Sequence, residues 1–508
     1  MSHDRFYVTT PIYYVNAEPH VGHAYTTIMA DIFARHHRQR GEDVFFLTGT
    51  DEHGAKIARA AEAAGHTPKS HADTLSAKFR DLGRVLEASN DFFIRTTDAA
   101  HITEVQRVLG ILHARGDIYK GSYGGWYCTP CEAFYVDGEL AEDHTCPIHG
   151  TPVEWLEEDN WFFRLSAYRE RLLAHFDAHP EWVVPTPRYN EARRMIESGL
   201  EDLSISRSQI SWGVPVPWDP EQVIYVWVDA LFNYWTALGY GAGGDGMRYW
   251  PPDLQLMAKD ILKFHAVIWP ALLMAAEIEL PRRLAIHGYV LKGGEKMSKT
   301  TGNLVDPFPF IENYGIDALR YYLSREIRFG EDGTFSAEGF DARYTGELAN
   351  ELGNLLNRTV SMIDRYRGGV VPADQGEDRA LADEVAQRQA EIVAAFDAAD
   401  ITRAVEAAWV LVRALNRLVE QRAPWVLAKD PGTATDLDQV LFSLAAGLTS
   451  VLVLLWPIIP GSAARALASL GQDPSQVLLA RAAWGDGIAG ARVTAIPPLF
   501  PRMEGRPE

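Results

Sequence analysis

The chain has 508 residues, of which 47% are hydrophobic and 23% are charged, proportions that are ordinary for a soluble globular protein. Its length predicts about three to four domains. The net charge of −20 argues against a general nucleic-acid binder, which usually carries a basic face, although the total hides any local basic surface. The 3 cysteines include a Cys-x-x-Cys pair, which favours metal binding in a reducing compartment over disulfides.

Membrane and export signals are not predicted. The apolar run at residues 451–460 is too short to span a bilayer and indicates a core helix. The first predicted strand begins within a few residues of Met1, which leaves no space for a secretory signal. We therefore expect a cytoplasmic enzyme with no membrane partner.

The first motif lies between an apolar run at residues 6–9, predicted to be a buried strand, and a helical pattern through residues 30–40. His20 and His23 lie one turn apart at the start of this helix, so both rings can face one point. Gly22 between them leaves room for a flat ligand near the backbone. Imidazoles at a helix N-terminus can donate to phosphate oxygens. A surface pair or a metal-binding pair is the alternative.

A second motif follows the apolar run at residues 43–48, which predicts a buried parallel strand. Asp51 and His53 come directly after this run and precede an Ala-rich helix at residues 55–64. Ligands bind at the carboxyl ends of parallel strands, so Asp51 is placed to hold a substrate ammonium. The alternative is that Asp51 only caps the next helix.

Residues 115–160 contain the pattern Cys-x2-Cys, fourteen residues, Cys-x2-His, formed by Cys128, Cys131, Cys146 and His149. Zinc prefers four tetrahedral ligands and accepts thiolates together with an imidazole. Four protein ligands would close the site, so the pattern predicts one structural zinc rather than free thiols or a redox pair.

Three further strands are predicted after this segment, at residues 223–230, 254–260 and 284–291. The stretch 168–199 is predicted to be helical and to close the zinc-bearing insertion. An amphipathic helix carrying His265 connects the second and third of these strands. The pattern predicts a doubly wound α/β domain, interrupted at its middle by the insertion.

A basic segment follows the last strand and carries Lys296 and Lys299 among glycines. Two lysines in a mobile loop suit a clamp on a polyphosphate, whereas a lone basic loop is more often a solvated turn. Together, the His-Val-Gly-His and Lys-Met-Ser-Lys stretches resemble the two signature motifs of class I aminoacyl-tRNA synthetases.

The resemblance narrows to the methionyl-tRNA synthetase family and covers essentially the whole chain. The stretches that carry it include Tyr225-Val-Trp-Val-Asp-Ala230, Lys259-Asp-Ile-Leu-Lys-Phe-His265, Asn354-Leu-Leu-Asn-Arg358 and Pro424-Trp425. It implies a Rossmann-type catalytic domain with an inserted zinc-knuckle connective domain, followed by an all-α anticodon-binding domain. The predicted domains are 1–115 and 201–290 (the two catalytic halves), 116–200 (the connective domain), 291–345 (the lysine loop and stem-contact region) and 346–508 (the helical domain with a C-terminal return segment).

The resemblance also implies the chemistry. Methionine would attack the α-phosphorus of ATP to give methionyl-adenylate and pyrophosphate, and the methionyl group would pass to the 3′ end of tRNA(Met), including the initiator tRNA. Because the carboxylate is already a nucleophile, the protein must supply alignment and charge stabilisation. Mg²⁺ would accompany the phosphates, and one Zn²⁺ would be structural.

Residue roles are carried over from the family position by position. The catalytic residues would be His20, His23, Lys296 and Lys299. The ATP site would comprise Gly22, Asp260, His287, Lys296, Met297, Ser298 and Lys299. The methionine site would comprise Pro11, Ile12, Tyr14, Asp51, Trp227, Leu231, Tyr234 and His265. The zinc ligands would be Cys128, Cys131, Cys146 and His149, and the anticodon would be read by Asn354, Arg358, Pro424 and Trp425.

The methionine thioether explains the aromatic residues of the predicted pocket. Thioethers contact ring edges favourably, and Tyr14, Trp227 and Tyr234 would supply the rings, while the Tyr14 hydroxyl and His265 would hydrogen-bond the sulfur weakly. Plain core packing is the alternative for each ring. For Trp425 the alternative is a buried anchor near a helix cap.

The sequence departs from the family pattern at few positions. Thr300 replaces a serine and retains a hydroxyl, and His149 replaces a cysteine as zinc ligand. No domain follows about residue 500, so a monomer is expected. Two other functions are weighed: a small-molecule nucleotidylyltransferase, which would not need the helical domain, and a catalytically inactive tRNA-binding relative, against which the histidines and lysines argue.

Overall fold

The computed structural model describes residues 4–129, 133–135, 137–141, 143–148, 150–241, 243, 245–297, 303–376 and 378–502. The chain forms two compact units. The sheet unit comprises Arg5–Pro19 and Phe45–Ile286, and the helical unit comprises Met1–Asp4, His20–Val44 and His287–Glu508.

In chain order, the strands are β1 (Arg5–Thr9), β2 (Tyr13–Tyr14), β3 (Asp43–Asp51), β4 (Phe92–Arg95), β5 (Ile118–Cys128), β6 (Ala133–Tyr135), β7 (Glu154–Phe163), β8 (Val183–Val184), β9 (Leu203–Ser204), β10 (Ser206–Arg207), β11 (Pro215–Val216), β12 (Asp219–Ile224), β13 (Leu254–Ala258), β14 (Leu284–His287), β15 (Val290–Lys292), β16 (Glu295–Lys296) and β17 (Gly333–Phe335). The α-helices are α1 (Val21–Gln39), α2 (Ala55–Ala63), α3 (Pro68–Val85), α4 (Ala99–Ala114), α5 (Arg169–Ala178), α6 (Thr186–Glu197), α7 (Val226–Leu231), α8 (Asn233–Tyr240), α9 (Trp269–Ala276), α10 (Phe308–Tyr314), α11 (Ile316–Glu326), α12 (Ala337–Arg343), α13 (Asn354–Arg367), α14 (Arg379–Asp397), α15 (Ile401–Arg422), α16 (Pro424–Leu427), α17 (Ala434–Leu455) and α18 (Pro460–Ser469).

The main sheet has the strand order β2-β3-β1-β13-β14-β8, with β4 also paired to β3. β1 and β13 pair in parallel, with Val8 opposite Leu254 and Thr9 opposite Gln255. Both strands are apolar and almost entirely buried, as expected for a parallel sheet covered on both faces. The order reverses between β1 and β13, and this is where a doubly wound sheet opens a crevice at the carboxyl ends of its strands.

The insertion is built on a long antiparallel hairpin. β5 and β7 pair from Ile118 opposite Phe163 to Tyr127 opposite Glu154, and β6 and β9 complete a four-stranded sheet. Cys128 therefore lies at the far end of β5, where the hairpin leads into the cysteine-bearing segment.

Some predicted elements differ from the structure. The strand predicted at 284–291 is divided into β14 and β15, which belong to different sheets. The predicted strand at 223–230 is wrong, because β12 ends at Ile224 and α7 begins at Val226. All but one residue of α7 is buried. The helix therefore has no solvent-facing side, and its sequence lacks the helical repeat of apolar and polar residues that would predict it. The stretch 168–199 is not helical throughout: between α5 and α6, β8 pairs in parallel with β14, with Val183 opposite Leu284.

The helical unit places α1 on α11 through a buried ion pair. Arg320 Nη2 lies 2.7 Å from Asp31 Oδ2, and both side chains are fully buried. Arg320 also donates to the carbonyls of Ile458 and Pro457, at 2.9 and 2.8 Å. A buried charge pair is tolerated only when its remaining hydrogen-bonding groups are satisfied, and these carbonyls contribute to that.

The remainder of this unit is mainly helical, as predicted for residues 346–508, and contains α13 to α18. Residues 368–378 connect α13 to α14. The C-terminal return segment forms only one antiparallel bridge among the described residues, between Val370 and Arg492. The expectation that no run could span a bilayer is wrong on length and composition alone, because Pro431–Leu455 passes that test. However, 94% of its apolar window is buried inside the protein, as in a core helix.

Candidate functional site

A cavity of about 290 Å³ opens in the sheet unit at the carboxyl ends of three strands. Pro11 and Ile12 follow β1, Asp51 ends β3, and Asp260 follows β13. The cavity is lined by Pro11, Ile12, Tyr14, Asp51, Lys56, Val226, Trp227, Ala230, Leu231, Asn233, Tyr234, Asp260, Ile261 and His265. All eight residues predicted for methionine are therefore brought together, and Asp260, predicted for the nucleoside, lies with them.

Sequence reasoning missed five of the lining residues: Lys56, Val226, Ala230, Asn233 and Ile261. Most of them lie within two residues of a predicted site residue, so proximity along the chain was a usable signal. Lys56 had another signal, since it lies in the first turn of the helix that follows the end of a parallel strand, where ligands bind.

The Asp51 carboxylate is not a helix cap, so that alternative is wrong. The residue before α2 is Gly54, with φ of 103°, and no side chain caps the helix there. The strand end is held instead by the next residue: Glu52 accepts two hydrogen bonds from Arg95, from Nε at 2.7 Å and from Nη2 at 2.8 Å. Such a bidentate pair fixes geometry as well as charge.

A hydrogen-bond chain fixes one end of the cavity. His265 Nδ1 is 3.0 Å from the Ile261 carbonyl oxygen, which only accepts, so Nδ1 carries the proton. Nε2 then accepts from the Tyr234 hydroxyl at 2.8 Å. Burial lowers the pKa of His265 to about 4, which keeps the ring neutral near pH 7. Both ring nitrogens are thus engaged, so His265 is not available as the donor that we expected for a substrate sulfur.

An aromatic wall stands beside this chain. The Trp227 ring stacks on Phe264, with centroids 4.0 Å apart and planes 10° apart. Tyr14 and Tyr234 line the same cavity. Stacking on Phe264 holds the indole in one orientation, so the wall is already shaped before any ligand binds.

The two signature histidines lie in the helical unit, at the start of α1. His20 Nδ1 accepts from the Gly22 amide at 3.1 Å, and His23 Nδ1 accepts from the His20 amide at 3.1 Å. A backbone N–H can only donate, so in each neutral ring the proton lies on Nε2. The ring centroids are 4.0 Å apart, and burial, then His20, lower the pKa of His23 well below its ordinary value.

Gly22 lies beside the capping His20 ring, which gives a further reason for a glycine at this position. A β-carbon there would lie 2.9 Å from His20 Cε1, closer than real contacts allow. Any larger residue at this position would therefore make the capping His20 ring shift.

His287 lies at the end of β14 and belongs to the helical unit. Its Nδ1 donates to the Gly288 carbonyl at 2.8 Å, and its Nε2 then accepts from the Thr26 hydroxyl at 2.9 Å. The ring also meets the edge of Tyr25, with centroids 5.1 Å apart. His287 is thus tied to the second turn of α1, the helix that begins at the signature histidines.

The lysine segment leaves the small sheet β16-β15-β17. Gly293 and Gly294 both have positive φ, 62° and 82°, and form the two-residue turn between β15 and β16, as tight hairpins require. Lys296 Nζ lies 4.1 Å from the centroid of the Tyr289 ring, and Met297 is buried.

The far end of this segment is also attached to the helical unit. The Val305 carbonyl accepts from the Val21 amide at 3.0 Å, which joins the return of the segment to the first residue of α1. The predicted Ser298 and Lys299, and Thr300 beside them, lie outside the described residues.

The predicted zinc ligands are described only in part. Cys128 and Cys146 are fully buried and share one small cluster with Val153, so the two halves of the pattern are brought together. Cys131 and His149 lie outside the described residues. Within the described ranges, no group of three or more histidine, cysteine or acidic residues could hold a metal ion.

Three of the four predicted anticodon residues, Asn354, Arg358 and Trp425, are at least partly exposed on the helical unit, whereas Pro424 is buried. Asn354 opens α13 and is exposed. Arg358, one turn later, has its Cζ 6.0 Å from the centroid of the Trp425 ring. Pro424 begins α16 after Ala423, whose φ of 42° is left-handed. Trp425 is 43% exposed, so the alternative of a buried anchor is wrong.

Comparisons with known proteins agree over nearly the whole chain. The family described as tRNA synthetases class I (M) matches residues 6–152 and 136–360. A methionine–tRNA ligase of Streptomyces coelicolor is 46% identical, over 99% of this chain and 97% of that protein. One from Thermotoga maritima is 43% identical, over 99% of this chain and 81% of that protein.

A solved structure agrees in the same way. The Mycobacterium tuberculosis methionyl-tRNA synthetase in complex with methionyl-adenylate superposes with a TM-score of 0.94 at 43% identity, covering 98% of this chain and 100% of that one. The fold is that of the class I aminoacyl-tRNA synthetases, an α/β unit with a parallel sheet and a helical C-terminal region. The chain therefore belongs to the methionyl-tRNA synthetases, a family of class I tRNA synthetases.

Proposed function

We propose that this protein carries out both steps of methionine–tRNA ligation with the residues described above. It first joins methionine to ATP, giving methionyl-adenylate and pyrophosphate, and then transfers the methionyl group to the 3′ end of tRNA(Met), including the initiator. The observation that carries the proposal is the cavity, which combines the Asp51 carboxylate with an aromatic wall in a chain of this family.

The cavity suits methionine on chemical grounds. Asp51 would accept the substrate ammonium, since it is a carboxylate at a strand end, where ligands bind in such sheets. Trp227 and Tyr234 would contact the thioether, which is flexible and polarizable and packs favourably against ring edges. Asp260, after β13, would face the nucleoside.

The histidine turn, formed by His20 and His23 at the start of α1, would bind the phosphates of ATP. Both Nε2 atoms carry protons, so His20 and His23 can donate to phosphate oxygens as charge develops in the transition state. The positive end of α1 would add to the same field. Lys296 and Lys299 would complete the charge stabilisation, and His287 would flank the nucleoside. Mg²⁺, which accompanies ATP, would neutralise part of the phosphate charge.

The surface of Asn354, Arg358 and Trp425 would read the anticodon. Asn offers both a donor and an acceptor to a base edge, and Arg offers a planar fork. The exposed Trp425 ring would stack on an unpaired loop base.

The cysteine cluster would hold one structural zinc. Two buried thiols from separate chain segments fit such a site, with Cys131 and His149 as the remaining ligands. Elemental analysis should give about one zinc per chain in protein never exposed to chelator, and clearly less than one would contradict the proposal. Cytoplasmic location and a monomeric state remain predictions, and light scattering would test the second.

Methionine-dependent exchange between pyrophosphate and ATP tests the activity directly. We expect exchange that depends on methionine, followed by charging of tRNA(Met). Exchange that depends on another small molecule, with no charging, would favour the nucleotidylyltransferase. tRNA binding without any exchange would favour the inactive relative.

A further inference from the structure

A buried hydrogen-bond network lies next to the cavity lining and is built on Asp229. Asp229 Oδ2 is 2.6 Å from His53 Nδ1, and Asp229 Oδ1 is 2.8 Å from His101 Nε2. His101 Nδ1 is in turn 2.7 Å from the Thr236 hydroxyl. All four residues are buried, so the network has little access to water.

The protons of this network can be assigned from its partners. A carboxylate only accepts, so His53 Nδ1 and His101 Nε2 carry the protons that bind Asp229. In the neutral ring, the other nitrogen of His101 accepts from the Thr236 hydroxyl, which also lies 3.3 Å from the Asn233 carbonyl oxygen. Burial would by itself raise the pKa of Asp229, but the two histidines lower it below its ordinary value. Each carboxylate oxygen therefore has a donor, which makes the network rigid.

The network joins three elements that each carry part of the cavity lining. His53 lies two residues beyond Asp51, the last residue of β3. Asp229 lies in α7 between Trp227 and Leu231. Thr236 lies in α8, which also carries Tyr234. The Asp229 carboxylate thus fixes the end of β3, which carries Asp51, relative to α7 and α8. These two helices carry the aromatic residues Trp227 and Tyr234.

The neighbouring Glu52 offers a contrast within the same three residues of sequence. Its carboxylate is also buried, but its partners are Arg95 and Thr50 at 2.7 and 2.8 Å, with Thr97 beside them at 2.5 Å. None of these partners lines the cavity. Glu52 therefore stabilises the strand end without linking it to the wall.

We propose that His53 and Asp229 are positioning residues for methionine, which set the separation between the Asp51 carboxylate and the aromatic wall. Neither contacts substrate. The inference rests on the proposed assignment of the cavity to methionine. None of the residues proposed to hold ATP belongs to the three joined elements, so a disturbed network should affect methionine and spare ATP.

The test uses a matched pair of variants of the full-length protein. In His53→Asn the side-chain amide can take the place of Nδ1 and still donate to Asp229. In His53→Gln the amide corresponds to Nε2 and cannot reach it. We expect His53→Gln to raise the methionine KM in exchange about tenfold or more, since small misplacements cost that much, with the ATP KM within about threefold. His53→Asn should return the methionine KM to within about threefold of wild type.

Two controls separate the possible failures. Glu52→Gln should lower the melting temperature yet leave the ratio of the two KM values within about threefold of wild type. Asp51→Asn should raise the methionine KM more than His53→Gln does; if it does not, the assignment of the cavity to methionine fails. If Asp51→Asn acts as expected but His53→Gln leaves the methionine KM unchanged, or raises both KM values equally, the positioning role is overturned.

A further variant covers the case in which His53→Gln does not fold. In Asp229→Asn the amide oxygen still accepts from His53, and its NH₂ group can donate to His101 once that ring moves its proton to Nδ1. The network geometry is then kept without the charge, so the methionine KM should stay within about threefold. A rise of more than about tenfold in folded protein would overturn the proposal.

Discussion

The cavity and the Trp425 surface differ in how firmly their aromatic groups are held. In the cavity, Trp227 is stacked on Phe264 and Tyr234 donates to a buried histidine. At the other surface, Trp425 is 43% and Val426 is 55% exposed, and Arg358 is the cation near the indole, at 6.0 Å. One region is shaped before its ligand arrives, and the other leaves its ring open to solvent.

The difference corresponds to the ligands that we propose. A small amino acid offers few atoms for discrimination, so its pocket must have a fixed geometry to reject close analogues. An RNA loop brings unstacked bases that need only a flat partner. Changes in the first region should therefore alter the activation step, and changes in the second should alter only the transfer to tRNA.

The largest effect is expected at the histidine turn, whose rings are held as firmly as the cavity wall. In His23→Asn the side-chain oxygen can still accept from the His20 amide, so the cap is kept while the Nε2 donor is lost. The kcat of methionine-dependent exchange should fall about 10²- to 10³-fold, as for loss of one transition-state donor. The methionine KM and the melting temperature should stay close to wild type.

The matched variant His23→Gln keeps the donor and loses the cap. Its amide can donate from near the Nε2 position but no longer caps α1. It should lose more stability and less kcat than His23→Asn. If His23→Gln is the slower of the two, His23 acts through the cap and not on phosphate.

The next effect concerns the pH dependence of stability at the buried end of the cavity. Burial lowers the pKa of His265 to about 4, against about 6.5 in the unfolded chain. Above pH 6.5 both states are neutral. Between pH 6.5 and 4 the unfolded state binds more protons, so the free energy of unfolding falls as pH falls, by about 3 kcal/mol in total from this group.

Urea titrations of wild type and His265→Gln at several pH values measure this contribution. The glutamine can still accept from Tyr234 but does not titrate. Wild type should lose about 3 kcal/mol more than the variant between pH 7 and 4. Parallel curves would mean that His265 keeps an ordinary pKa.

The same contrast explains what the sequence could predict. All eight predicted methionine residues line one cavity because strand ends of a parallel sheet meet at one edge, and the family match selected the residues that lie in and after α7. The strand predicted at 223–230 was wrong because a nearly fully buried helix has no polar face, so its period is hidden. The Asp229 network joins residues 128 and 176 positions apart, and no local pattern reports such a contact.

A smaller effect is expected at the exposed ring. Trp425→Ala should reduce aminoacylation of tRNA(Met) about 10- to 100-fold, since stacking on one base is worth roughly 1–3 kcal/mol. Exchange and the melting temperature should be nearly unchanged because the ring is 43% exposed. Val426→Ala, which also removes exposed apolar surface, is the control and should charge normally. Loss of exchange and charging in parallel would show that Trp425 supports the fold.

The smallest effect is expected for the contact between Lys56 and Tyr14 in the cavity lining. Lys56 Nζ lies 5.7 Å from the centroid of the Tyr14 ring, and both residues line the cavity. A cation at this distance from a partly exposed ring is worth about 0.5–1 kcal/mol, so the contact would help to hold the Tyr14 ring in place. Lys56→Met keeps most of the side-chain length and removes the charge. The methionine KM should then rise about two- to fivefold at constant kcat.

Arg59→Met, on the exposed side of the same helix, controls for the loss of one positive charge and should leave KM unchanged. Equal effects of the two substitutions would mean that the methionine KM depends on net charge and not on the contact with Tyr14.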